Sequence, residues 1–302
     1  MAFLFTLIII GFILAKLNKV PDTTSTVLAK LENNVFIPAL VLGTFMKSFT
    51  VETMKSSGTL LLFSAVLTLV MAVIAVFVAR ICHKDSFVRN IYTYGLSFSN
   101  FGFMGNAVVM ALFPDVFVEY LIFTLPLWIL IYLWGVPVLL IPSESGSKSG
   151  ILSRLRAFLN PMFICMLIGM ILGLTGLGAK LPAWTASVVT TAGDCMSPIA
   201  MLLTGITVSK ISLRKTFTNL SIYTVSLIRL IVFPVAFILI AKLLPLSQTT
   251  YICAVCSLAM PLGLNTIVIP SAYGKDPSTA SGMAVVSHIL SCITIPLVFM
   301  LI

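Results

Sequence analysis

Ser99-Asn100-Phe101-Gly102-Phe103-Met104-Gly105-Asn106 and Met260-Pro261-Leu262-Gly263-Leu264-Asn265 stand at matching places in the two halves of this chain, each inside an apolar segment. Glycine weakens a helix and proline removes a backbone donor, so both stretches predict carbonyls and amides that lack helical partners. At membrane depth such groups are tolerated only where they face protein or a water-filled cavity. Interrupted hydrophobic segments at corresponding positions of two halves are how secondary transporters build a binding site near the bilayer midplane. Taken singly, each stretch is better read as a kinked packing helix whose asparagine bonds a neighbour. The symmetric pair tips the balance toward function.

The rest of the composition agrees with a membrane setting. The chain is 302 residues long, 59% hydrophobic and only 9% charged, with a mean hydropathy of +1.14. That leaves too little water-facing surface for a soluble globule and implies a polytopic membrane protein. Long apolar runs without alternation predict helices rather than a barrel. Residues 2–17 lack a preceding basic region and a following A-x-A-like cleavage site, so they predict a short first span, not a signal peptide. Six cysteines are scattered, and Cys253 and Cys256 have no second Cys/His pair to complete a zinc site. No metal and no cofactor is expected. The net charge of +9 lies mostly in short loops, which membrane topology explains better than nucleic acid does.

Ten spans are predicted, at about 2–17, 24–48, 57–82, 90–112, 119–141, 158–177, 183–208, 217–241, 249–272 and 280–302. A linker at 142–157, containing PSESGSKSGILSRL, divides a first five-helix repeat (1–141) from a second (158–302). Thirteen Lys and Arg fall in odd-numbered connections and four in even-numbered ones, which puts both termini outside the cytoplasm. An odd number of spans per half inverts the second half relative to the first. Gly11-Phe12-Ile13-Leu14 matches Gly169-Met170-Ile171-Leu172. Asn34 with Pro38 matches Asp194 with Pro198, Asn106 matches Asn265, and Val136-Pro137-Val138 matches Ile295-Pro296-Leu297. These four matches share an offset of 158 to 160 residues, the mark of an inverted repeat.

Within this frame the polar residues sort by depth. Asn265 and Asn106 supply side chains that donate and accept, and the backbone beside Pro261 and Gly263 supplies further groups. Asn100 and Asn34 are secondary polar contributors. Asp194 is read as the only acid inside a span, equally a proton carrier or cation ligand and a residue that lies near a helix end or pairs with Arg229. Arg229 is the one cation that cannot be placed in a loop, and it either attracts an organic anion, clamps Asp194 or snorkels. His288, near Ser287 and Ser291, is either a proton relay or a hydrogen-bonded structural histidine. Gly169 and Gly173 predict close helix packing. The stretch from Gly173 to Lys180 does not form a phosphate loop, since Lys180 does not follow Gly178 directly and no strand precedes it.

The span-four segment Asn100 to Asn106, the run Met260-Pro261-Leu262-Gly263-Leu264-Asn265, Tyr273-Gly274-Lys275-Asp276 and Ile295-Pro296 together resemble the auxin efflux carrier family over nearly the whole chain. Asn34 to Leu40, Pro198 to Gly205 and Arg229 with Pro234 also resemble family positions. The resemblance implies an all-α fold of ten transmembrane helices in two inverted five-helix repeats, with broken helices four and nine crossing. It also implies an elevator-type movement and carriage of small organic anions such as malate, malonate or auxin-like acids. The family commonly has a proline at the span-four break where this chain has Asn106-Ala107, which implies a gentler bend there.

The expected function is therefore a secondary active transporter of small carboxylates in the plasma membrane, coupled to protons or sodium and compatible with a homodimer. Its rivals are a cation/proton antiporter on a related fold and a non-transporting membrane sensor. No paired acids, metal cluster or supported Ser/His arrangement points to an enzyme.

Overall fold

The computed structural model describes residues 2–140, 161–209, 220–263, 266 and 278–302. The linker expected at 142–157, the 273–276 motif and Asn265 lie outside the described residues. Among those described, every regular element is helical, and the one strand-like pairing is an isolated antiparallel bridge between Ser99 and Leu262. Among the described residues six helices are long and apolar enough to cross a membrane: Thr24–Ser48, Ser57–Cys82, Pro114–Leu140, Ala183–Ser209, Leu220–Ala241 and Gly282–Phe299. Shorter apolar helices cover Thr6–Lys16, Phe101–Leu112 and Pro161–Thr175. The Val51–Cys82 helix exposes Leu62, Val66, Leu69, Val73 and Phe77, one apolar stripe at helical spacing. Such a stripe is stable against lipid and costly against water.

The chain folds into two compact units, and each draws on both halves of the sequence. The first comprises Met1–Leu60, Asn106–Ile122 and Ser149–Lys210. Small residues set its helix spacing. A Cβ on Gly205 would collide with the Ile8 carbonyl, and one on Gly11 with that of Leu202, so the Ala2–Lys16 and Met196–Ser209 helices touch backbone to backbone. Gly169 and Gly173 likewise lie against the backbone of Leu42, Phe45 and Phe49, the close packing their spacing predicts. The Pro161–Thr175 helix stops at Gly176, whose φ of 67° suits a residue without Cβ.

Prolines create the irregular turns of this unit. Pro38 has no N–H to offer the Asn34 carbonyl, and the Ile37 N–H instead reaches back to Glu32 O. The result is one π turn, Glu32–Phe36, between the helices Thr24–Leu31 and Ile37–Ser48. At the matching place near Pro198, the chain divides into Ala183–Asp194 and Met196–Ser209.

The second unit comprises Leu61–Gly105, Phe123–Lys148 and Ile211–Ile302. Its Ser86–Ser97 helix starts on the Asp85 carboxylate, which accepts from Val88 N–H at 2.9 Å. Ser247 caps Gln248–Ala259 in the same way, accepting from Thr250 N–H at 3.2 Å. Both helices run into the core and end at the two interrupted stretches. Cys253 and Cys256 are both buried on the second helix. Among the described residues no group of His, Cys, Asp and Glu has the spacing to hold a metal ion.

Candidate substrate site at a helix crossover

Ser86–Ser97 ends when Phe98 turns extended, at φ −122° and ψ 116°. Gln248–Ala259 ends the same way at Met260, at φ −72° and ψ 147°. The two extended stretches then run antiparallel: Asn100 N–H donates to Pro261 O at 2.7 Å, and Ser99 pairs with Leu262. Side chains lock this crossing. Ser99 Oγ donates to Ser257 O at 2.7 Å, and Leu262 N–H donates to Ser287 Oγ at 3.2 Å. Gly263 passes so near Ser99 that a Cβ there would sit 3.3 Å from its carbonyl oxygen. Leu262 fills the space that the missing Cβ of Gly95 leaves open.

The first break therefore falls at residues 98–100, about two turns earlier than a family-like proline site at Asn106-Ala107 would put it. The helix does not merely bend there; it ends. Without a proline, the interruption rests on partners outside the helix, chief among them Arg229.

Arg229 is buried in another π turn, Ile228–Val232, separated from Pro234 by one residue. Its guanidinium donates through Nη1 to Leu96 O at 2.9 Å, through Nη2 to Ser257 O at 3.0 Å and, more weakly, through Nε to Met260 O at 3.4 Å. Leu96 and Ser257 lie in the last turns of the two broken helices, where carbonyls have no intrahelical donor and the partial charge is negative. One planar fork thus caps two helix C-termini. The sequence offered Arg229 a clamp on Asp194 or a role toward substrate; the geometry engages these three donors with backbone oxygens.

Asn100 is buried and its Nδ2 lies 3.2 Å from His288 Nε2. His288 Nδ1 is 2.7 Å from the Ala284 carbonyl and must carry the proton there. Nε2 is then left to accept from Asn100, so the histidine fixes the amide's orientation. Beyond the crossover the chain winds into Phe101–Gly105 and on into the helix that Asn106 begins. The Gly105 N–H donates back to Asn100 O at 2.9 Å. The first turn of a helix carries a partial positive charge, and here that turn is buried. Aromatic pairs flank the break: Phe101 meets Trp128 edge to face at 5.0 Å, and Phe98 meets Tyr94 at 4.9 Å.

Asn106 is buried at the start of Asn106–Leu112, in the first unit. Asn34 is exposed, with Nδ2 donating to Lys30 O at 2.7 Å, the ordinary back-bond of a helical asparagine. Asp194 is also exposed. It lines a cleft of about 230 Å³ in the first unit together with Lys47, Thr190 and Phe117, and there Lys47 Nζ donates to Thr190 Oγ1 at 3.1 Å.

Sequence reasoning missed Glu32. Asp194 is not the only acid in a predicted span, because Glu32 lies inside 24–48 and is fully buried. Its place within that interval was signal enough. Ser99 and Ser257 were missed for a better reason, since serine beside a helix break is too common to single out.

A family model described as membrane transport protein matches residues 1–299. No curated protein matches the chain closely enough to report. With interrupted apolar helices, a lipid-suited surface and a match over nearly its full length, the chain is an integral membrane protein and belongs to the auxin efflux carrier family of membrane transport proteins.

Proposed function

We propose that the chain is a secondary active transporter of small carboxylate-bearing anions, with substrate held at the crossover of its two interrupted helices. The observation that carries this reading is the extended pairing of Ser99 and Asn100 with Pro261 and Leu262 inside the buried core. Unwound backbone at such depth has a use only where it meets a ligand or another polar partner. An amide-lined turn with a partly positive end suits a carboxylate. No acid occurs in 86–112 or 248–263, which favours an anion over the cation of an antiporter.

In this reading Asn106, Asn265, Asn100 and the backbone at Pro261 and Gly263 face the substrate, with Asn34 a more distant contributor. Arg229 and His288 position the crossover, and Asp194 remains a candidate for coupling. Counting Gln248–Ala259 and the three shorter apolar helices with the six long ones supports ten spans. The near-constant offset between halves supports an inverted pair of five-span repeats, and the two units, each built from both halves, suit an elevator-type movement. Both termini would lie outside the cytoplasm, in the plasma membrane.

The test is uptake of labelled malate, malonate and indole-3-acetate into proteoliposomes under imposed pH, sodium and voltage gradients, with native protein and Asn265→Ala. Uptake of one anion that Asn265→Ala lowers by tenfold or more, about 1.4 kcal/mol of lost interaction, supports the site. Failure of folded, reconstituted protein to carry any of them sinks the carboxylate reading and moves cation exchange or a sensor role ahead.

A further inference from the structure

We propose that Glu32 is the proton-binding residue of this transporter, a role that rests on the transport reading above and names its coupling ion. Glu32 has no exposed surface, and neither carboxylate oxygen has a hydrogen-bond partner among the described residues. The neighbouring amides are turned away, Asn33 Nδ2 to Ala29 O and Asn34 Nδ2 to Lys30 O. Packed against its π turn are the helices Thr24–Leu31, Ile37–Ser48, Pro161–Thr175, Ala183–Asp194 and Met196–Ser209. Their ionisable side chains are Lys30, Lys47, Cys165 and Asp194, of which Lys30, Lys47 and Asp194 are exposed and Cys165 is half-buried. None of them gives the Glu32 carboxylate a bond. An unpartnered carboxylate in such a place does not hold its charge; it takes up a proton. A sodium ion would need several oxygen ligands converging on the same point, whereas a proton needs only the carboxylate itself.

The π turn supplies a route for release. Glu32 faces inward, whereas Leu31, Asn33, Asn34 and Val35 on either side of it are exposed. Each residue of helical register is about 100° of rotation. If the bulge relaxes by one residue, the carboxyl swings from the packed face to the face of Asn33 and Asn34, where it ionises. The proton leaves as the carboxylate gains a polar surrounding, and the reverse slip returns the neutral acid to its pocket.

The experiment is substrate accumulation by native protein and Glu32→Gln in proteoliposomes under a gradient of one pH unit, with substrate exchange at zero gradient as the check on folding. One proton per monoanion permits at most about tenfold accumulation. The expected result is accumulation by native protein and a ratio of one for Glu32→Gln, which keeps the neutral shape and still exchanges substrate. Infrared difference spectra across a pH titration should show a carboxylic C=O stretch in native protein that Glu32→Gln lacks. Undiminished accumulation by Glu32→Gln, or accumulation driven by sodium alone, overturns the assignment while transport itself stands. If native protein carries no anion, the transport reading falls and the coupling role with it, and a Glu32 band in the spectra then marks a neutral structural acid.

Discussion

Replacing Arg229 with methionine, which keeps length and apolar volume but removes the donors, tests whether this residue holds the crossover together. The guanidinium makes two good bonds, to Leu96 O at 2.9 Å and Ser257 O at 3.0 Å, and one long bond to Met260 O at 3.4 Å. Side-chain hydrogen bonds within membrane proteins are worth from about 0.6 to about 1.7 kcal/mol each, and charged donors lie at the upper end. Two strong bonds and a weak one give a loss of about 2–4 kcal/mol. For a protein of this size that lowers the unfolding midpoint by about 3–6 °C, read from thermal melts of the purified protein in detergent. Arg229→Lys retains the charge but not the fork that spans two helix ends, so it should recover less than half of the loss. The contrary result is equally readable. If Arg229→Met melts with the native protein yet no longer transports, the capping argument is wrong and the residue serves substrate charge.

Two further predictions follow from packing and hydrogen bonding. Asn100→Ala deprives His288 Nε2 of its partner and should cost about 1–2 kcal/mol, and a double-mutant cycle with His288→Ala should show a coupling energy above about 0.5 kcal/mol if the two act as a pair. Gly205→Leu forces a side chain into the Ile8 carbonyl, and the Met196–Ser209 and Ala2–Lys16 helices must separate. Overpacking of this kind costs about 1–3 kcal/mol or more. Gly58→Ala, where a Cβ meets nothing within 4 Å, should leave the melting temperature unchanged or raise it. Equal behaviour of the two glycine variants would refute the close contact.

Much of this architecture is legible in the sequence because its cause is local. Pro261 and Gly263 announce a break wherever they stand, and Gly169 and Gly173 need only helical spacing to face one neighbour. The break at 98–100 is different. Nothing in Ser97-Phe98-Ser99 forbids a helix, and glycine pointed to Gly102 and Gly105 instead. The interruption arises because Arg229, Ser257 and Pro261, all more than 120 residues away, take up the backbone groups a continuous helix would have paired. A partner so distant in sequence leaves no local trace.

The same division explains why one acid was found and the other was not. Asp194 stood out because it precedes Pro198 by four residues, as Asn34 precedes Pro38, and the symmetry drew attention to that register. Yet a mid-helix proline acts over a wider stretch. It leaves the carbonyl four residues back without its donor, and the preceding N–H reaches one residue further, which widens the turn around residues five and six before the proline. Arg229 stands five residues before Pro234 and Glu32 six before Pro38, and both are buried in the π turns that result. A π turn moves side chains off the regular helical stripe and so lets a charge point inward where the i, i+4 pattern would turn it out. At Pro38 and Pro234 the buried charge stands five or six residues back in the π turn, whereas Asp194, four residues before Pro198, is left exposed at a helix end.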